Sequence, residues 1–158
     1  MIIFMTRLGS FRFQALLGAL LLALVPMGSA MGQGEMIAAR CIHEMRGIGR
    51  HTNQAVDAAA YRGVHLIAAL DQQGASDERL IAAANHVKDR IQGLAQRGAG
   101  AVNDAAEACV RRLVDAGADE ALIERVNAAR RTVLGAIHDN AAGATHRINM
   151  ALRRALEN

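Results

Sequence analysis

The stretch Asp71-Gln72-Gln73-Gly74-Ala75-Ser76-Asp77-Glu78 separates two long runs of helical periodicity, and its reading decides the fold. Gly74 suits a left-handed helix C-cap, since a residue without Cβ takes positive φ at no steric cost. Ser76 suits the N-cap of a following helix, and Asp77 and Glu78 set negative charge against the positive end of its dipole. A helical hairpin follows. Counted outward from Ala75, Cys41 lies 34 positions before and Cys109 lies 34 after. In antiparallel helices of equal rise the two thiols share one level, roughly 50 Å from the turn. The spacing therefore predicts a Cys41–Cys109 disulfide. Closing the 68-residue loop between them stabilises the fold by about 4 kcal/mol in the chain-entropy treatment.

On either side of the turn, apolar and small residues step by threes and fours. Cys41, Met45, Ile48, Thr52, Val56, Ala59, Gly63, Ile67 and Leu70 form one stripe, ending at Gln72 and Gly74. A second runs through Leu80, Ala84, Val87, Ile91, Leu94, Gly98, Val102, Ala105, Cys109 and Leu113 to Gly117. Asp119 then caps a third, marked by Leu122, Val126, Val133, Ile137, Ala144, Ile148 and Ala155. These stripes predict helices over residues 35–72, 77–116 and 119–157, with the spacing of bundle or coiled-coil helices. Short connections force neighbours antiparallel. The expected fold is all-α: an elongated up-down-up three-helix bundle with a narrow, alanine-rich core.

Glycine complicates that picture. Pairing the helices about their turns collects Gly47, Gly49, Gly98, Gly100 and Gly135 near one level. Each costs about 1 kcal/mol relative to alanine inside a helix. Close backbone packing is the simplest explanation; kinked or broken helices and a ligand pocket are the alternatives.

The first 30 residues read as an export signal. Arg7 and Arg12 precede a short apolar run from Ala15 to Val25, Pro26 breaks it, and Gly28-Ser29-Ala30 offers small residues for cleavage. The run falls short of the roughly 20 residues of a comfortable membrane span, although an uncleaved anchor is the competing reading. No cysteine or Arg-Arg pair suggests a lipid-anchored or twin-arginine form. Residues 31–158 then form one domain, periplasmic or extracellular and of bacterial style, where two cysteines point to one disulfide.

Cleavage alters the charge. The full chain has 18 basic and 15 acidic residues, and two of the basic ones, Arg7 and Arg12, belong to the leader, so 16 face 15 in the remainder. Phe4, Phe11 and Phe13 are lost too, leaving Tyr61 as the one aromatic. Near-balanced charge and a single ring provide neither the electrostatic footprint nor the stacking platform of a nucleic-acid binder. The membrane is met only through the leader.

Six histidines raise a metal hypothesis: His43, His51, His65, His86, His138 and His146. Level arithmetic puts His51 near His138, and His65 near His86. No Glu-x-x-His or His-x-x-x-His supports the idea, and none of the six lies on a core stripe. There is no haem-attachment or Cys-x-x-Cys pattern. Thr145-His146, His51-Thr52 and Cys41/His43 are close in sequence, yet side chains one or two positions apart on a helix do not face each other. Ser76 is assigned to a cap. No enzyme and no cofactor are expected. Arg111-Arg112, Arg130-Arg131 and Arg153-Arg154 have carboxylates at helical spacing and read as surface ion pairs. The sequence thus describes an exported structural or protein-interaction module, its partner unknown or a second copy. The alternative is a small metal- or ligand-binding bundle that uses His51 and His138 at the glycine level. The exported protein should begin at Met31 with the peptides around Cys41 and Cys109 joined. Non-reducing peptide mapping checks both, and two alkylatable thiols would contradict the pairing.

Overall fold

The computed structural model describes residues 25–157, with side chains from residue 32 onward. Among them are three helices, α1 (Val25–Gln72), α2 (Asp77–Asp115) and α3 (Glu120–Leu156), and no strand. Each helix packs on the other two. The proposed leader core falls largely on residues 1–24, outside the described residues. The bundle is up-down-up.

Both turns end a helix in the same way. Gly74 and Gly117 have φ of 66° and 65°. At the first, Ala75 N–H donates to the Leu70 carbonyl at 3.0 Å and Gly74 N–H to Asp71 at 2.9 Å; at the second, Ala118 donates to Leu113 at 2.9 Å and Gly117 to Val114 at 3.0 Å. This is the Schellman arrangement, which satisfies carbonyls that a helix end leaves open. Asp119 caps α3 by accepting from Leu122 N–H at 2.9 Å. Ser76 holds the N-cap backbone position of α2 without a side-chain cap bond. Instead, the Glu78 backbone N–H and then the Ser76 hydroxyl donate to the Glu78 carboxylate, holding it below the usual carboxylate range. A depressed carboxyl stabilises the fold at neutral pH, and that contribution fades as pH falls through the lowered value.

One helix boundary differs from expectation. α1 begins at Val25, ten residues before the expected start at 35. Pro26 sits in the first turn, where its missing N–H has no helical partner to lose, so it opens the helix and does not break it. The expected cleavage site after Ala30 lies within this helical backbone. Packing against the rest of the bundle is in place at Gly34, which is buried against Ala118 and Leu122.

The hairpin register follows the symmetry about Ala75. Cys41 and Cys109 are joined, with Cα atoms 6.0 Å apart. Gly98 meets Thr52, and Gly63 meets Val87; these pairs too are equidistant from Ala75. The helices run through all five clustered glycines without a break. Only two of the five are close approaches: a Cβ on Gly49 would press into Val133, and one on Gly98 would lie 2.8 Å from the Thr52 Cβ. Gly47, Gly100 and Gly135 face open space. The sequence reading treated Gly63 as an ordinary stripe position, yet its face is filled by Val87 and Ile148.

The core period is not the seven of a coiled coil. Ten of the largest fully buried side chains recur every 11 residues: Met45, Val56 and Ile67; Leu80, Ile91, Val102 and Leu113; Val126, Ile137 and Ile148. Eleven residues in three turns is 3.67 per turn, which favours a gentle right-handed twist where heptads give a left-handed one. Each of these large aliphatics is worth about 1.5–3 kcal/mol when buried. Alanines fill most of the remaining core and let the helices approach.

The core itself is divided. One apolar cluster, around Val56, Ile67, Leu80, Ile91 and Ile148, lies toward the first turn, and another, around Met45, Val102, Leu113, Val126 and Ile137, surrounds the disulfide. Between them, at Thr52 and Gly98, lies a polar waist. Thr52, the one buried polar residue there, satisfies its hydroxyl by donating to the Ile48 carbonyl at 2.9 Å. Beside it, Asn140 Nδ2 donates to the Asn53 carbonyl at 3.1 Å.

Glycines two residues apart should therefore respond oppositely to substitution. Gly98→Ala should destabilise by about 1–3 kcal/mol, the range for overpacking. Gly100→Ala and Gly135→Ala should stabilise by up to about 1 kcal/mol each through helix propensity. Denaturant unfolding of the three variants checks the signs.

Candidate functional site

The three seams between helices are held differently. The α1–α2 seam carries the disulfide and the Thr52–Gly98 contact. The α1–α3 seam is bridged by Arg125–Glu35 at 3.1 Å and Arg147–Asp57 at 2.7 Å, two exposed pairs that guide register more than they add stability. Across the α2–α3 seam, Arg130 Nε donates to Asn103 Oδ1 at 2.7 Å. From there toward the first turn, short side chains leave the surface between the two helices open.

The opening is a groove of about 600 Å³. Ile91 and Ile137 form its floor, Ala95, Ala99 and Ala141 its close walls, and Lys88 and His138 its cationic or titratable edge. No carboxylate lines it. The strip continues past the groove: Ile81 lies one 11-residue repeat before Gln92, and Leu156 one repeat after Thr145, both Gln92 and Thr145 being groove residues. Ile81 is 41% and Leu156 40% exposed, so apolar surface reaches the end of the bundle. Alanine walls matter here, because short side chains admit another helix backbone at close range.

The histidines do not converge as the level arithmetic suggested. His138 edges the α2–α3 groove, while His51 is exposed on α1 and lines neither that groove nor the hollows between α1 and α3. Sharing a level does not place two residues on one face; the angular phase about each helix decides that. His65 stacks edge-on to Tyr61, with ring centres 4.3 Å apart, on the outer surface. Among the described residues no three His, Cys, Asp or Glu side chains are grouped to hold a metal ion.

The thiols and two of the threonine hydroxyls have other partners. Both cysteines are in the disulfide, and Thr52 and Thr132 donate to backbone carbonyls of their own helices. Beside the waist, a hollow of about 250 Å³ between α1 and α3 is lined by Arg46, Gly49, Arg50, Asn53, Thr132 and Val133 among others. A neighbouring hollow of about 430 Å³ shares Arg46 and Thr132 and brings in His43 and Arg125. Arg46 and Arg50 fall off the core stripe of α1; their spacing of four, with Gly49 between them, is the sign the sequence offers of a shared face. Among the described residues no helix is long and apolar enough to cross a membrane. Compared with family models, with curated proteins and with solved structures, the chain matches none.

Proposed function

We propose that this chain is an exported helical-bundle protein with a protein-interaction role, its α2–α3 groove receiving an amphipathic helix from a partner protein. The observation carrying the reading is the apolar character of the α2–α3 groove: the disulfide joins α1 to α2, and the α1–α3 seam opens only into smaller hollows lined with arginine, whereas the α2–α3 opening is walled mainly by alanine and isoleucine. Export is supported by the leader-like N-terminus and by a disulfide, a bond that persists in oxidising compartments.

The groove's chemistry describes its occupant. A helix laid there would bury apolar or small side chains against Ala95, Ala99 and Ala141, completing a four-helix arrangement. Lys88 and His138, with no carboxylate lining the groove, favour an acidic flank on that helix. A second copy of the chain offers the same strip of surface, so self-association is the outcome to be separated from it.

Site-specific photo-crosslinking in the producing cell tests this. A benzophenone side chain at Gln96 or Ala142 should give a discrete adduct whose cross-linked peptide has helical apolar spacing and an acidic flank. The same group at His86, on the outer face, should give none, and Ala99→Glu with Ala141→Glu should remove the groove adduct. An adduct composed of two copies of the chain would replace the partner by self-association. Equal labelling from both faces, or none from the groove, would reject the interaction reading.

A further inference from the structure

The hollow beside the waist presents a separate chemistry, independent of the α2–α3 groove. Arg46 and Arg50 lie one turn apart on α1, both lining it. Neither has a carboxylate partner among the described residues, a state they share with several other surface arginines; the hollow that both line is what sets them apart. No Asp or Glu lines this hollow or the adjoining one, although His43 and Arg125 add further basic groups there. Two guanidinium forks at this spacing match the several oxygens of a phosphate, which accepts bidentate hydrogen bonds.

A second observation comes from the floor. Asn53 lines the same hollow, and its Oδ1 is buried without any hydrogen-bond partner, the one such side-chain atom among the described residues. A buried acceptor without a donor is costly, and native proteins satisfy nearly all of them. Asn140, the nearest amide in this network, gives its Nδ2 to the Asn53 backbone carbonyl instead. The Thr132 hydroxyl, also in the hollow, donates to Ala128, so toward a ligand it acts as an acceptor. The site therefore offers donors at its arginine rim, the exposed Thr132 hydroxyl as an acceptor, and in Asn53 Oδ1 a buried acceptor that a ligand reaches once the side chain turns outward. Gly49 holds the α1 backbone against Val133 between them.

We infer that this hollow binds a phosphomonoester that carries a free hydroxyl, such as a polyol phosphate. Its phosphate lies between Arg46 and Arg50, and a turn of the Asn53 side chain out of its buried position brings Oδ1 to the ligand's hydroxyl. The same phosphate-plus-hydroxyl chemistry occurs in a small metabolite and in a phospholipid headgroup bearing glycerol, and experiment separates the two sources.

Glycerol phosphate and inorganic phosphate, titrated separately into the isotopically labelled protein with its disulfide intact, provide the test. Saturable amide shifts should centre on residues 46–53 and 129–136, with glycerol phosphate binding about 5- to 10-fold more tightly, as one hydrogen bond to a buried acceptor confers. Arg46→Gln with Arg50→Gln should abolish both titrations while leaving thermal unfolding unchanged, since both side chains are exposed. Asn53→Ala should reduce glycerol phosphate binding to the level of inorganic phosphate. Co-sedimentation with phosphatidylglycerol vesicles but not phosphatidylcholine vesicles, lost in the double arginine variant, would assign the phosphate to a lipid. Absence of saturable binding to both soluble ligands and vesicles, or binding unchanged in that variant, would overturn the proposal.

Discussion

Register in this bundle is set where one helix fills the space left by a missing Cβ on another. Thr52 fills the face of Gly98, Val87 and Ile148 fill that of Gly63, and Val133 fills that of Gly49. Each is a β-branched side chain with few rotamers, so each contact fixes both distance and axial position. A slip of one residue would drive these side chains into helices that have a Cβ at the facing site. The disulfide then fastens a register that packing has already defined: Thr52–Gly98 and Gly63–Val87 show the same symmetry about Ala75 as the cysteines. The cost of glycine in a helix is offset at these positions by the backbone approach it permits.

The 11-residue repeat and the polar waist follow from the same economy of side-chain volume. Large aliphatics recur every 11 residues along each helix, and alanine and glycine take many of the inner positions between them. At the level of Thr52 and Gly98, between Met45 and Val56 on α1 and between Ile91 and Val102 on α2, the core divides and polar groups reach inward. The hollow with Arg46, Arg50 and Asn53 opens beside that level, and the α2–α3 groove begins near it. Both candidate sites thus belong to the stretch where the bundle is least filled.

Much of the fold was legible in the sequence. The two capping glycines, the absence of proline after Pro26 and the matched distances of Cys41 and Cys109 from Ala75 determine a helical hairpin with little ambiguity. The start of α1 was not legible, because a proline is read as a stop although in a first turn it is an acceptable start. The core period was left open between bundle and coiled coil: steps of three and four are common to heptads and hendecads, and only the burial of the large side chains distinguishes them. Residue levels and the core-facing stripe of each helix were predicted well, whereas the seam on which each outer residue falls was not. This explains why His51 and His138 share a height without meeting, and why Arg46, Arg50 and Asn53 went unnoticed. Angular position about a helix depends on how the whole bundle winds, which no local motif encodes.

The covalent topology has a further consequence. The tight turn at Gly74 and the sulfur bridge close α1 and α2 into a ring, from which neither can be peeled while the bridge stands. α3 lies outside that ring, attached by one short link through Gly117 and held otherwise by packing, exposed charge pairs and hydrogen bonds through Arg130 and Asn140. Any opening that preserves the bridge must therefore start by lifting α3. Two molecules opened in that way could trade their third helices and recover every contact, which makes α3 the natural unit of domain exchange.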